Sequence, residues 1–233
     1  MGLTQRQFGT ITLAAALLFI CSVQSGAAPR RDSARMKTIL VLGDSLSDGF
    51  RLPRSQAYPA LLAERLRQEG LNFEVVNASA SGGTSGGGVT RLAPHLKRKI
   101  DIFVVQLGIN DAFRAVPISE LRANLQGIID KTKRSWPECE VVVVGMQLPV
   151  LSQDDYVRSF GEMYGELADK NNAAVVPYLL AGVGGNPALN LPDRIHPNAA
   201  GHIVLAETVW RVLEPVARRV ANRTPATVAP IVP

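Results

Sequence analysis

The sequence predicts an α/β fold, a three-layer α/β/α sandwich around a five-stranded parallel sheet in a flavodoxin-like order. Three observations predict it. Short apolar runs alternate with amphipathic stretches along most of the chain. Several of these runs are continuously apolar, the pattern of parallel strands buried on both faces. At 233 residues, 46% of them hydrophobic, the chain is long enough to bury one substantial core.

Residues 1–28 stand apart from that fold. Arg6 is their only charge, residues 11–20 are apolar, and Ser25-Gly26-Ala27-Ala28 offers small side chains for cleavage. This is the layout of a secretory signal peptide, and it predicts export to the periplasm or the medium. The apolar run is short for a bilayer span, although an uncleaved anchor is the competing reading. Ile20 precedes Cys21 where a lipid-attachment site would carry a small residue, so no lipid is expected there.

The domain is expected over residues 36–218. Its strands read as Lys37–Leu42, Phe73–Val76, Ile102–Leu107, Glu140–Val144 and Ala173–Val176. Helical periodicity fills Ala57–Glu69, Val89–Lys99, Ser119–Ser135, Asp154–Asn171 and Asn198–Val220. Residues 219–233 read as a disordered Pro-rich tail. Leu148–Tyr156 forms a loop expected to shape a pocket.

Charge narrows the partners. The net charge is +5, but residues 36–217 hold 18 Lys+Arg against 19 Asp+Glu. The excess lies at the ends, in Arg30, Arg31, Arg35, Arg218, Arg219 and Arg223, which read as solvated tails. A neutral domain argues against nucleic acid and leaves open a peripheral contact with anionic membrane surfaces. Past residue 28 the lone cysteine is Cys139, so no internal disulfide can form. Three histidines and no HExxH or paired CxxC spacing give no metal site, and no cofactor is expected.

Polar motifs recur where α/β sheets build their sites, past the carboxyl ends of strands. Gly43-Asp44-Ser45-Leu46-Ser47 follows the first strand. There Ser45 reads either as a nucleophile at the mouth of a helix, its own N–H turned toward a developing oxyanion, or as a plain N-cap. The final glycine of a GxSxG elbow is replaced by Ser47. After the second strand, residues 77–88 form a glycine-rich stretch whose backbone can approach a ligand. It lacks the lysine of a phosphate loop. After the third strand, Asn110 can aim its amide at the same point, while Asp111 reads as a structural cap. Before the last helix, Asp193 and His196 are spaced so that a carboxylate can fix the imidazole tautomer and leave the other ring nitrogen to accept a proton. His95 and His202 read as ordinary helix residues.

In order, spacing and context, these segments resemble the blocks of the SGNH (GDSL) hydrolases. The bacterial thioesterase I, lysophospholipase and arylesterase group is the most similar, over roughly residues 37–217. Gly43–Phe50, Asn77–Leu92, Leu107–Arg114, Gly182–Asn190 and Asp193–His202 carry the likeness. It implies a serine esterase acting on short- to medium-chain acyl esters, thioesters or lysophospholipids. It further implies Ser45 as nucleophile, His196 as base oriented by Asp193, and an oxyanion hole of Ser45 N–H, Gly82 N–H and the Asn110 amide. Three departures border the pocket: Gly83 where relatives carry Asp, Ile109 for a common Gly, and Arg194 for a small residue. Ile109 is expected to narrow or grease the cleft, and Arg194 to attract an anionic leaving group. Two other readings stay open. One is a carbohydrate O-deacetylase, disfavoured by the lack of an aromatic sugar platform. The other is an idle fold serving as a binding protein, disfavoured because nucleophile, base and oxyanion donors are all present. Oligomeric state is not legible.

Overall fold

The computed structural model of the protein describes residues 35–149 and 155–223. The proposed signal segment, the residues beyond 223 and residues 150–154 of the expected pocket loop lie outside them. Five strands form one parallel sheet: β1 (Lys37–Gly43), β2 (Phe73–Asn77), β3 (Ile102–Gln106), β4 (Glu140–Val144) and β5 (Ala174–Val176). Their order is β2-β1-β3-β4-β5, the flavodoxin-like arrangement. Each strand lies within one residue of its expected limits. Side chains of β1, β3 and β4 are buried on both faces, which is why these segments read as unbroken apolar runs.

Among the described residues, seven helices accompany the sheet: α1 (Ser45–Asp48), α2 (Tyr58–Gln68), α3 (Ser85–Leu92), α4 (Ile109–Phe113), α5 (Ile118–Ser135), α6 (Asp155–Asn171) and α7 (Ala199–Ala221). Packing pairs α2 with α7 on one side of the sheet, and α3 with α5 and α5 with α6 on the other. The helices bury stripes at helical spacing, such as Leu121, Leu125, Ile128, Ile129 and Thr132 of α5. Among the described residues, no helix is long and apolar enough to cross a membrane.

Two expectations need correction. The glycine-rich stretch is not all loop, because Ser85–Gly88 is the first turn of α3. The Thr84 hydroxyl caps that turn by accepting from Gly87 N–H at 3.2 Å. Gly88 faces the core so closely that a Cβ there would lie 2.6 Å from Leu107 Cδ1. Helical spacing was legible only from Val89 onward because glycines carry no periodicity. Pro94 then tightens the following residues into a 3₁₀ turn over Ala93–Lys97.

The basic ends also depart from expectation. The last helix reaches Ala221, past the expected end of the domain at 218, and its arginines are not solvated tails. Arg218 pairs with Glu69 at 2.7 Å and Glu214 at 2.8 Å, while Arg219 and Arg223 both pair with Glu140. Arg35 donates from Nη2 to both oxygens of Asp101, at 2.9 and 2.8 Å. Asp101 also accepts from Thr38 N–H at 2.8 Å, so the pair fastens the chain where β1 begins. Apart from Glu214, one turn away from Arg218, these carboxylates are far from the arginines in sequence, and charge counts cannot reveal such pairs.

Candidate active site

The motifs converge at the carboxyl ends of β1, β2 and β3. β1 ends at Gly43, which lies in register with Gln106 at the end of β3. Asp44 then caps the single turn of α1, its carboxylate accepting from Leu46 N–H at 2.9 Å. This fixes Ser45 at the turn's first position, where 7% of its surface remains open.

Across from it, the turn before α7 presents the acid and the base. One oxygen of Asp193 accepts from the backbone N–H of Ile195 and His196, at 2.9 and 3.0 Å. The other lies 2.9 Å from His196 Nδ1. The His196 N–H is the main cause that holds the Asp193 carboxyl down at about 2. An ionised carboxylate can only accept, so Nδ1 carries the imidazole proton. Nε2 is then left as an acceptor, and it lies 3.1 Å from Ser45 Oγ. The structure therefore brings Ser45, His196 and Asp193 into one hydrogen-bonded line.

The turn itself is braced. Leu191 N–H donates to His196 O at 2.7 Å, and Asn190 bridges to Pro197. The buried Asn190 amide donates to Val183 O at 2.6 Å and Asn186 O at 2.7 Å. Asn198 caps α7 by accepting from Gly201 N–H at 3.0 Å, and its amide holds Ala188 O at 3.0 Å.

The loop that carries Gly82 adjoins the serine turn, with Ala80 N–H donating to Gly43 O at 3.2 Å and Ser81 Oγ–H to Asp48 at 2.8 Å. Among the described residues, neither the Ser45 nor the Gly82 N–H donates to a protein acceptor. Gly82 has φ +74 and sits in the turn before α3. Asn110 lies in the first turn of α4 and donates one amide hydrogen to Gly83 O at 3.0 Å, which keeps a second in hand. Gly108, before it, has φ +133, and a Cβ there would lie 2.2 Å from Tyr164 Oη. Only glycine fits that approach to α4. Asp111 is a remote cap. It is buried and accepts from Ser85 N–H at 2.9 Å and Ser85 Oγ–H at 2.6 Å, which ties α4 to the start of α3.

The departures also find places. A Cβ at Gly83 would lie 2.5 Å from Arg91 Nη1, so the Arg91 guanidinium takes the space that a side chain there would need. From there Arg91 donates to Gly43 O at 3.0 Å. Ile109 is half-buried and packs against the core. Arg194 is exposed, with φ +59. His202 is buried, as a packing histidine should be. Its Nδ1 accepts from Tyr58 N–H at 3.2 Å, and burial pushes it down to about 4, so it stays neutral.

The parts played by Phe50 and Gln106 escaped the sequence reading. Phe50 lies with its ring 4.2 Å from the His196 ring, where it limits the imidazole's freedom to turn. Gln106 is fully buried beneath Ser45. Its Nε2 donates to Asp44 at 3.0 Å, and its Oε1 accepts from Ser47 Oγ–H at 2.6 Å. Asp44 is held up at about 7 by its burial. Phe50 had a weak signal, as the aromatic just past the serine turn. A single strand-end Gln carries none.

Known proteins match the chain along the whole of this constellation. Residues 41–204 match the GDSL-like Lipase/Acylhydrolase family. The chain is 39% identical to Esterase TesA of Pseudomonas aeruginosa, over 78% of its own length and 90% of the relative's. It is 32% identical to Thioesterase 1/protease 1/lysophospholipase L1 of Escherichia coli (strain K12), over 79% and 86% of the two chains. A crystal structure of TesA superposes with a TM-score of 0.73 at 39% identity, covering 77% of this chain and 99% of that one. With residues 41–204 matched to the family and relatives 39% and 32% identical over most of the chain, the chain belongs to the GDSL-like lipase/acylhydrolase family of SGNH hydrolases.

Proposed function

We propose that this carboxylic ester hydrolase works through an acyl-enzyme on Ser45, and that its substrates are short- to medium-chain acyl esters. The observation that carries the reading is the unbroken line from Asp193 through His196 to Ser45, with hydrogen bonds of 2.9 and 3.1 Å. His196 Nε2 takes the Ser45 proton as Oγ attacks the ester carbonyl. The negative charge that develops on the carbonyl oxygen meets Ser45 N–H, Gly82 N–H and the Asn110 amide. The tetrahedral intermediate collapses, and the leaving oxygen departs with the proton from His196. Water, deprotonated by His196, then attacks the acyl-enzyme and restores Ser45.

Asp193 keeps the imidazole in the accepting tautomer and stabilises the imidazolium of each step. Ile109, beside Asn110, borders the acyl cleft and favours modest chains. Thioesters and lysophospholipids, named in the Escherichia coli relative, are further substrates of the same chemistry. Export before catalysis follows from the signal-like residues 1–28.

Hydrolysis of a p-nitrophenyl ester series, acetyl to long chain, tests this with the parent and Ser45→Ala. Turnover that vanishes in the variant, with an optimum at short to medium chains, is the expected result. A folded parent that hydrolyses no ester would sink the reading and favour carbohydrate deacetylation or an idle binding role.

A further inference from the structure

Among the described residues, all but one of the exposed arginines away from the mouth of the site are answered by carboxylates, as Arg98 is by Glu74 and Arg122 by Glu166. Among the described residues, the exposed arginines that meet no carboxylate are Arg51, Arg114, Arg134 and Arg194. Arg134 lies in the last turn of α5, which leads into the amino end of β4, whereas Ser45 follows the carboxyl end of β1. The other three stand at the mouth. Arg114 donates to Gly82 O at 3.4 Å, on the oxyanion side. Arg51 and Arg194 stand on the histidine side. The Arg51 guanidinium lies 5.0 Å from the centre of the Phe50 ring, which itself packs at a tilt against His196. Arg194 lies inside the Asp193–His196 turn.

The nearby carboxylates are already committed. Asp193 accepts from His196 Nδ1 and two backbone N–H groups. Asp48 accepts from Ser81 Oγ–H at 2.8 Å and meets Arg54 at 3.3 Å. Arg51, over the Phe50 ring, and Arg194, two residues before the catalytic imidazole, are therefore left as unanswered charges in its neighbourhood.

That side has a defined chemical meaning. His196 must hand its proton to the leaving oxygen, so the leaving group lies next to the imidazole when it departs. We propose that Arg51 and Arg194 select acyl esters whose leaving alcohol carries a phosphate or carboxylate. This deepens the acyl-enzyme reading and rests on it. In the step concerned, the Ser45 Oγ–acyl bond forms and the bond from acyl carbon to leaving oxygen breaks. The electron pair goes to that oxygen, which takes the proton from His196 Nε2. The anionic substituent leaves unchanged on the alcohol, held meanwhile by the two guanidiniums.

Two matched pairs of soluble esters test this. One is 3-carboxy-4-nitrophenyl butyrate against p-nitrophenyl butyrate. The other is 1-butanoylglycerol 3-phosphate against 1-butanoylglycerol. The readout is the ratio of kcat/KM, anionic to neutral. The parent should favour the anionic member of both pairs. Arg51→Gln or Arg194→Gln should each cut the ratio roughly threefold, and the double variant roughly tenfold, mainly through KM, as suits partly solvated ion pairs. Lysine at either position should keep most of the preference. Arg134→Gln should leave the ratio unchanged, and added salt should shrink it in the parent. A parent without anionic preference, or a double variant that retains it, overturns the proposal. So does a preference seen only on anionic vesicles, which would assign the arginines to a membrane surface. Neutral-ester turnover in Ser45→Ala, measured alongside, reports separately on the acyl-enzyme: if it persists, the underlying reading fails and this proposal fails with it.

Discussion

Ser45 is an ordinary alcohol until its surroundings act on it, and each surrounding group can be removed singly. Asn110→Ala removes one oxyanion donor and should cut kcat about 10²–10³-fold with little change in KM, because the developing charge exists only in the transition state. Asp193→Asn should cost about 10³–10⁴ in kcat. Its amide can donate to Nδ1, which pushes the ring proton onto Nε2, where the Ser45 hydroxyl needs an acceptor. Steady-state kinetics on p-nitrophenyl butyrate measures both. A loss confined to KM would argue that these groups bind substrate without acting on the transition state. The residues legible in the sequence were those with a motif around them. Ser45, Asn110, Asp193 and His196 each follow a strand or precede a helix in a fixed spacing. Phe50, Gln106 and Arg91 act through contacts made only after folding, and no local pattern marks them.

At the scale of elements, the sheet was legible and its decoration less so. The strands announced themselves as continuous apolar runs because both faces are buried. The start of α3 did not, since Ser85-Gly86-Gly87-Gly88 offers no hydrophobic period. What holds that turn is tertiary: the Thr84 cap, the fit of Gly88 against Leu107, and Asp111 beneath Ser85. Asp111→Asn should destabilise the protein by about 1.5–3 kcal/mol, since an amide replaces a charged acceptor of buried donors. Gly88→Ala should cost about 1–3 kcal/mol by overpacking. Denaturant melts measure both. An unchanged midpoint in Asp111→Asn would mean that α3 begins without its anchor. The arginine pairs of α7 show the same division. Their positions were plain, but their partners lie on β4, on the residue after α2, and one turn away on α7 itself.

Across the whole molecule, the buried Asp44 links stability to pH. Burial raises its carboxyl from an ordinary 3.8 to about 7. Between those values the folded chain holds a proton that the unfolded chain has released. The native state is therefore penalised increasingly as pH rises, fully so above about 7. Asp44→Asn does not titrate. The difference in Tm, variant minus parent, should move in the variant's favour from pH 4 to pH 8. A constant difference would mean that Asp44 is ionised throughout.

The catalytic reading meets its most direct test in a covalent adduct. The parent treated with a fluorophosphonate ester should gain the mass of one phosphonyl group, and peptide mapping should put it on Ser45. Ser45→Ala, folded by circular dichroism, should gain none. An adduct on another residue, or an unlabelled parent that still hydrolyses p-nitrophenyl butyrate, would contradict Ser45 as the nucleophile.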